Sequence, residues 1–262
     1  MATNGAANRV KAEGEAWKIW DHYGFSRPSS IPLIEIAAAR NLKIRTGGLS
    51  GARARLVRVG DSGIIRLRDE GLHTGPARFA ISHELGHWAI HKDGQGFVCN
   101  DHDLRDYRKK PQEAEANMFA AELLMPTQFV TPLLRRKGVS MQAAQAMAEE
   151  FNVSLTAASI RMMNLSRDTC ALVFSKNRQV QWWVASTDVY GIWLGSKQAL
   201  SIDSIAYHLG DPDRGSFDVE EDVPFEAWFP NSPRSGSPDM TEQSCYLWTA
   251  GGVLTLLTID AS

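Results

Sequence analysis

A chain of 262 residues, 44% hydrophobic and 22% charged, can bury a sizeable core in one large domain or in two or three small ones. A formal net charge of -2 gives no global pull toward nucleic acid or an anionic membrane, and no apolar run approaches the roughly eighteen residues that cross a bilayer. Cys99, Cys170 and Cys245 stand far apart and form neither a CxxC pair nor a disulfide framework, and the N-terminus lacks the apolar core of a signal peptide, so a reducing cytoplasm is expected.

Residues 8–23 carry Val10, Trp17, Ile19, Trp20 and Tyr23 at helical spacing and stop at Gly24. Ser29-Ser30-Ile31-Pro32 reads as the capped start of a second helix reaching Asn41, with Pro32 tolerated in its first turn. From Leu42 to Arg68 the texture is β, where LVRV and GIIRL flank the hairpin signal Gly60-Asp61-Ser62-Gly63. Helices are expected from about Ala77 to His91 and from Pro111 to Met125. Residues 128–165 are helical in pattern, with breaks at Gly138-Val139-Ser140 and Asn152-Val153-Ser154 whose serines can cap the next helix. After Asp168, CALVF, QVQWWVA and CYLWTAGGVLTLLTI read as strands, the last a hairpin turning at Gly251-Gly252. Between them, residues 209–240 hold five of the eleven prolines and read as a long loop. The pattern is α+β, divided into residues 1–127, a helical segment 128–166, and a small C-terminal α/β module 167–262.

The expected third helix contains Ile81-Ser82-His83-Glu84-Leu85-Gly86-His87, an HExxH motif. Positions i and i+4 of a helix share one face, so His83 and His87 can bind one Zn²⁺ at about 2.0–2.1 Å each. Glu84 points off that line, where it can polarise water on the ion and take its proton. Phe79, Ile81, Leu85, Trp88 and Ile90 surround the motif, as in a helix running through a core.

A catalytic zinc needs a third protein ligand. In Pro111-Gln112-Glu113-Ala114-Glu115-Ala116-Asn117, Glu113 and Asn117 are i and i+4, so one face can offer a carboxylate to the metal and an amide to a ligand imidazole. Glu115 and Glu122 are rivals for the metal. Glu115 points about 200° from Glu113 around the helix, so only one of those two can face the ion, and Glu113 is preferred. His91 continues the i+4 series but sits about 12 Å along the axis from His83, which places it behind the ligands or at the surface. His22, His73 and His102 are candidate donors to a developing oxyanion, each weighed against an ordinary surface position.

Together ARFAISHELGHWAIH and EAEANMFAAELLMP resemble the ImmA/IrrE family of metallopeptidases, whose two helices read FxxxHELGHxxxH and E-x-E-A-N-x-F-A-x-x-L-L-x-P; IPLIEIAAARNLKI looks like that family's N-terminal part. The resemblance is close to about residue 126, looser to 165 and weak beyond. It implies a gluzincin-like fold with His83, His87 and Glu113 as zinc ligands and Glu84 as general base. It also implies a zinc endopeptidase that cleaves a helix-turn-helix repressor during a stress or mobile-element response. The competing reading is a non-catalytic zinc-binding regulator that binds a repressor or DNA.

Ser140 to Leu165 reads as helix, short turn, helix, resembling a helix-turn-helix. Its second helix offers only Arg161 and Asn164 as strong base readers, and Glu149-Glu150 would meet phosphates poorly, so packing or substrate docking is preferred over DNA binding. Trp182, Trp183, Trp193, Trp228 and Trp248 suit either the core or a ligand pocket of a GAF-like sensor, the character this region has in the radiation-response branch of the resembled family.

Overall fold

The computed structural model describes residues 7–69, 71–91, 111–186, 193–209, 220–232 and 238–260. The chain forms two compact units, one of Met1–Val130 with Met147–Ala157, the other of Thr131–Ala146 with Ala158–Ser262. The architecture is α+β.

In the first unit, Asn8 caps α1 (Arg9–Tyr23) by accepting from the Lys11 amide, and Gly24 ends it in the left-handed conformation a Cβ disfavours. Trp20 donates its indole N–H to the Leu123 carbonyl at 3.0 Å, tying α1 to α4 (Pro111–Leu124). The second helix is shorter than expected: α2 spans Leu33–Ala38, with Pro32 at the N-cap. Its tail tightens into i→i+3 bonds at Arg40 and Asn41, and Asn41 turns left-handed (φ 58°), which feeds the chain straight into a strand. That strand, β1 (Leu42–Thr46), lies outside the expected hairpin and pairs parallel to β3 (Ser62–Leu67). The hairpin itself forms, with β2 (Ala54–Val59) antiparallel to β3, giving the order β1-β3-β2. Alternate residues Ala54, Leu56, Ile65 and Leu67 are buried, and this sheet packs against α3 (Gly75–Ile90).

Helix α3 begins two residues before the expected position, because the Thr74 side chain accepts from the Ala77 amide and Pro76 fits the first turn. It is buried on nearly every side, which explains an apolar sequence without an amphipathic stripe. At its start Gly75 abuts the backbone of Val153 and Ser154, where a Cβ would stand 2.5 Å from the Val153 carbonyl carbon.

The helical stretch resolves into α5 (Thr127–Lys137), α6 (Met141–Phe151) and α7 (Leu155–Leu165), separated by left-handed Gly138 and Asn152. Ser140 and Ser154 accept from Ala143 and Ala157, the capping their positions suggested. The boundary between the two units passes through all three helices.

The second unit carries a five-stranded antiparallel sheet, order β5-β4-β8-β7-β6, from β4 (Cys170–Lys176), β5 (Gln179–Ala185), β6 (Glu221–Asp222), β7 (Met240–Leu247) and β8 (Gly252–Ile259). Asn177 and Arg178, both at positive φ, make the tight β4–β5 turn, and Gly251 supplies positive φ at the β7–β8 turn. The Met141 amide donates to Gln243 Oε1 at 2.7 Å. The stretch expected to be a long loop departs from that expectation where it is described: residues 220–232 contain β6 and the single turn α9 (Phe225–Trp228). Phe225, Trp228 and Phe229 from this segment sit in the core beside Val173 and Leu257. Aromatic burial anchors a segment whose prolines and acidic residues mimic a loop. The remaining helix, α8 (Ile205–His208), starts on the carboxylate of Glu242, a fully buried side chain of β7.

Candidate metal centre

The i, i+4 spacing on α3 puts His83 and His87 one turn apart, with their Nε2 atoms 3.0 Å from each other. Pro111 opens α4, and Glu113 in its first turn brings Oε2 to 3.2 Å from His83 Nε2 and 3.5 Å from His87 Nε2. All three side chains are buried, and among the described residues they form the one His/Cys/Asp/Glu group able to hold a metal ion. Four donors about 2.0–2.1 Å from a tetrahedral ion stand about 3.3–3.4 Å apart. The observed 3.0, 3.2 and 3.5 Å are the edges of such a face. The fit is to a small tetrahedral ion held by nitrogen and oxygen, as zinc is.

Around these donors the hydrogen bonds are ordered. His83 Nδ1 lies 2.8 Å from Asn117 Oδ1, one turn beyond Glu113 on α4. His87 Nδ1 lies 3.0 Å from His91 Nδ1, and His91 Nε2 lies 2.8 Å from Glu115 Oε2. Glu115 is therefore not at the metal face; it backs His91, and its other oxygen accepts from the Asn8 amide at 2.8 Å. Glu122, the other rival, accepts from the Thr127 amide and hydroxyl at the start of α5. His91 is buried beside His87 rather than at the surface. Sequence reasoning missed its link to Glu115, although the third histidine of His83-x₃-His87-x₃-His91 and the second acid of Glu113-x-Glu115 signal it.

Electrostatics separates the two imidazoles. Burial opposes a charge on His83, but its bond to Glu113 and the negative charges of Glu84 and Glu113 outweigh that and raise its pKa. Burial lowers His87 to about 4, helped by the neighbouring His83 and His91, against the pull of Glu113. Burial would raise Glu113, yet its bonds to both histidines hold it well below the usual carboxylate range. Glu84 follows His83 on the helix and is fully buried.

Other expected site residues lie apart. His22 is exposed, with its ring edge-on to Tyr23; His73 is exposed and offers its carbonyl to Asn152; His102 lies outside the described residues. Arg161, one of two anticipated base readers, is buried at 4% exposure. Trp228 lies in the core of the second unit, Trp183 packs against that core and Trp182 stacks on Phe174, whereas Trp193 and Trp248 are exposed, so the five tryptophans do not line one pocket.

Residues 39–163 match the IrrE N-terminal-like domain of the M78 peptidases, a stretch that includes every residue of the cluster. That segment belongs to the ImmA/IrrE metallopeptidase family. The fold is similar to that of a Mycobacterium tuberculosis transcriptional regulator, with a TM-score of 0.61 at 14% identity over 95% of this chain and 76% of that one. No curated protein matches the chain in sequence. Among the described residues, no helix is long and apolar enough to cross a membrane.

Proposed function

We propose that this protein is a zinc-dependent endopeptidase of the cytoplasm, with a gluzincin-like catalytic unit, that cleaves a regulatory protein, a helix-turn-helix repressor being the substrate class the family favours. The observation that carries this reading is the tetrahedral face made by His83 Nε2, His87 Nε2 and Glu113 Oε2. Three protein donors are the number a catalytic zinc keeps, whereas structural sites close with four. When bound, the ion supplies Lewis acidity toward a carbonyl and makes water nucleophilic near neutral pH.

The chain's own residues do the rest. His83 and His87 would hold the ion as neutral imidazoles, and Glu113 would hold it as a carboxylate. Asn117 fixes the His83 ring by accepting from Nδ1–H, leaving Nε2 bare. Glu84, buried beside His83, is the base that takes a proton from attacking water and returns it to the leaving amine. Residues 167–262 are read as a GAF-like sensor module, supported by their antiparallel sheet and aromatic core.

The decisive experiment incubates the zinc-loaded protein with helix-turn-helix repressors encoded beside it. Cleavage that stops with a chelator supports the peptidase. Stable binding of such a repressor without cleavage, by protein that retains zinc, supports the second reading, a non-catalytic regulator. The structural likeness to a transcriptional regulator favours keeping that alternative. Burial of Arg161 weighs against direct base reading by α7.

A further inference from the structure

Behind His87 the hydrogen bonds form a chain to which a neutral His91 gives one direction. Glu115 accepts from the Asn8 amide on Oε1 and faces His91 Nε2 with Oε2, and a carboxylate can only accept. His91 Nε2 therefore carries the proton donated to Glu115 across 2.8 Å. A neutral imidazole that donates from Nε2 has a bare lone pair on Nδ1. That lone pair stands 3.0 Å from His87 Nδ1, which must then be the protonated nitrogen. Its Nε2 is left bare, aimed at His83 Nε2 and Glu113 Oε2.

We infer that His91 and Glu115 are a positioning dyad which sets the tautomer and ring angle of His87, and that the start of α1 anchors this dyad through Asn8. The two ligand imidazoles are thus served differently. His83 is oriented by a single amide from α4, Asn117, whereas His87 is oriented by a second imidazole from its own helix, backed by an acid from α4. Asn8 belongs to the anchor because its amide reaches Glu115 Oε1 while its side chain caps α1. Lys11, one turn along α1, reaches the Ile90 carbonyl next to His91 at 3.3 Å. The N-terminal helix thereby braces the metal face, although none of its residues belongs to the ligand set.

The inference rests on the metal-site reading, and the test separates the two. Zinc affinity of the full chain is measured by competition with a chromophoric chelator for wild type, His91→Phe and His91→Gln. The ring-nitrogen tautomers of the metal-free wild type are read by imidazole ¹⁵N–¹H correlation. Removing the acceptor in His91→Phe is expected to weaken zinc binding about 10–100-fold. The His91→Gln amide can accept from His87 and donate to Glu115, and is expected to stay within about threefold of wild type, a rescue that a purely packing role would not produce. The spectrum is expected to show His87 protonated at Nδ1 and His91 at Nε2. Wild-type affinity in a folded His91→Phe protein, or a proton on His87 Nε2, overturns the dyad. If His91→Phe does not fold, the Gln variant and the wild-type spectrum decide. A wild type that takes up no zinc defeats the metal site itself, and the spectrum still judges the dyad.

Discussion

Gly86 meets the backbone of Ala116 so closely that a Cβ on Gly86 would stand 3.1 Å from Ala116 Cα and 3.2 Å from its carbonyl oxygen. This contact lets α4 approach α3 near enough for Glu113 to reach both histidines. Gly86→Ala must push one helix away from the other, because the obstructing atoms are largely backbone. The variant is expected to lose about 1–3 kcal/mol of stability and to bind zinc more weakly, as read by urea unfolding and chelator competition. Unchanged values in both would show that the helix spacing is not critical.

Glu84→Gln preserves shape and removes the carboxylate proposed as the base. It should retain zinc with affinity near that of wild type while cleavage of a repressor substrate falls at least about 100-fold. A variant that cuts as fast as wild type would assign the proton transfer elsewhere.

Asn117→Ala leaves the His83 Nδ1–H without its 2.8 Å acceptor. A loss of about 10–100-fold in zinc affinity is expected, since the ring is then free to turn and to change tautomer. Calorimetric titration of the metal-free protein checks this, and an affinity equal to wild type would limit Asn117 to packing.

The raised pKa of His83 should make metal uptake pH-dependent. In the metal-free protein its proton persists at pH values where an ordinary histidine is losing its own. Zinc needs the bare nitrogen, so affinity should rise with pH until the raised pKa is passed and fall by up to about tenfold per unit below it. His87, already lowered to about 4, adds no competition near neutrality. Chelator competition between about pH 6 and pH 8 measures the slope, and a flat profile would contradict it.

In the second unit, buried Glu242 accepts from the Ile205 and Ala206 amides, the Trp228 indole and the Ser244 hydroxyl. Burial nevertheless pushes its pKa above the usual carboxylate range. Glu242→Ala strands several buried donors, each costing about 1–3 kcal/mol. Denaturant unfolding followed by tryptophan fluorescence should show a loss of at least about 2 kcal/mol, and a smaller change would mean water replaces the carboxylate.

Local rules make much of this protein legible in its sequence alone. The His83–His87 alignment follows from 3.6 residues per turn, the breaks at Gly138 and Asn152 from turn chemistry, and the capping roles of Ser140 and Ser154 from the needs of a helix start. Periodicity also shows that Glu113 and Glu115 point in different directions, because that angle is internal to α4. Which of them reaches His83 and His87 depends on how α4 is rotated against α3, a long-range quantity that packing at Gly86 and Ala116 settles. The parallel pairing of β1 with β3, the burial of Phe225, Trp228 and Phe229 within a proline-rich stretch, and the reach of Asn8 across to Glu115 are of the same kind. Each joins residues distant in the chain, so no local spacing encodes it, and only the packed fold brings the partners together.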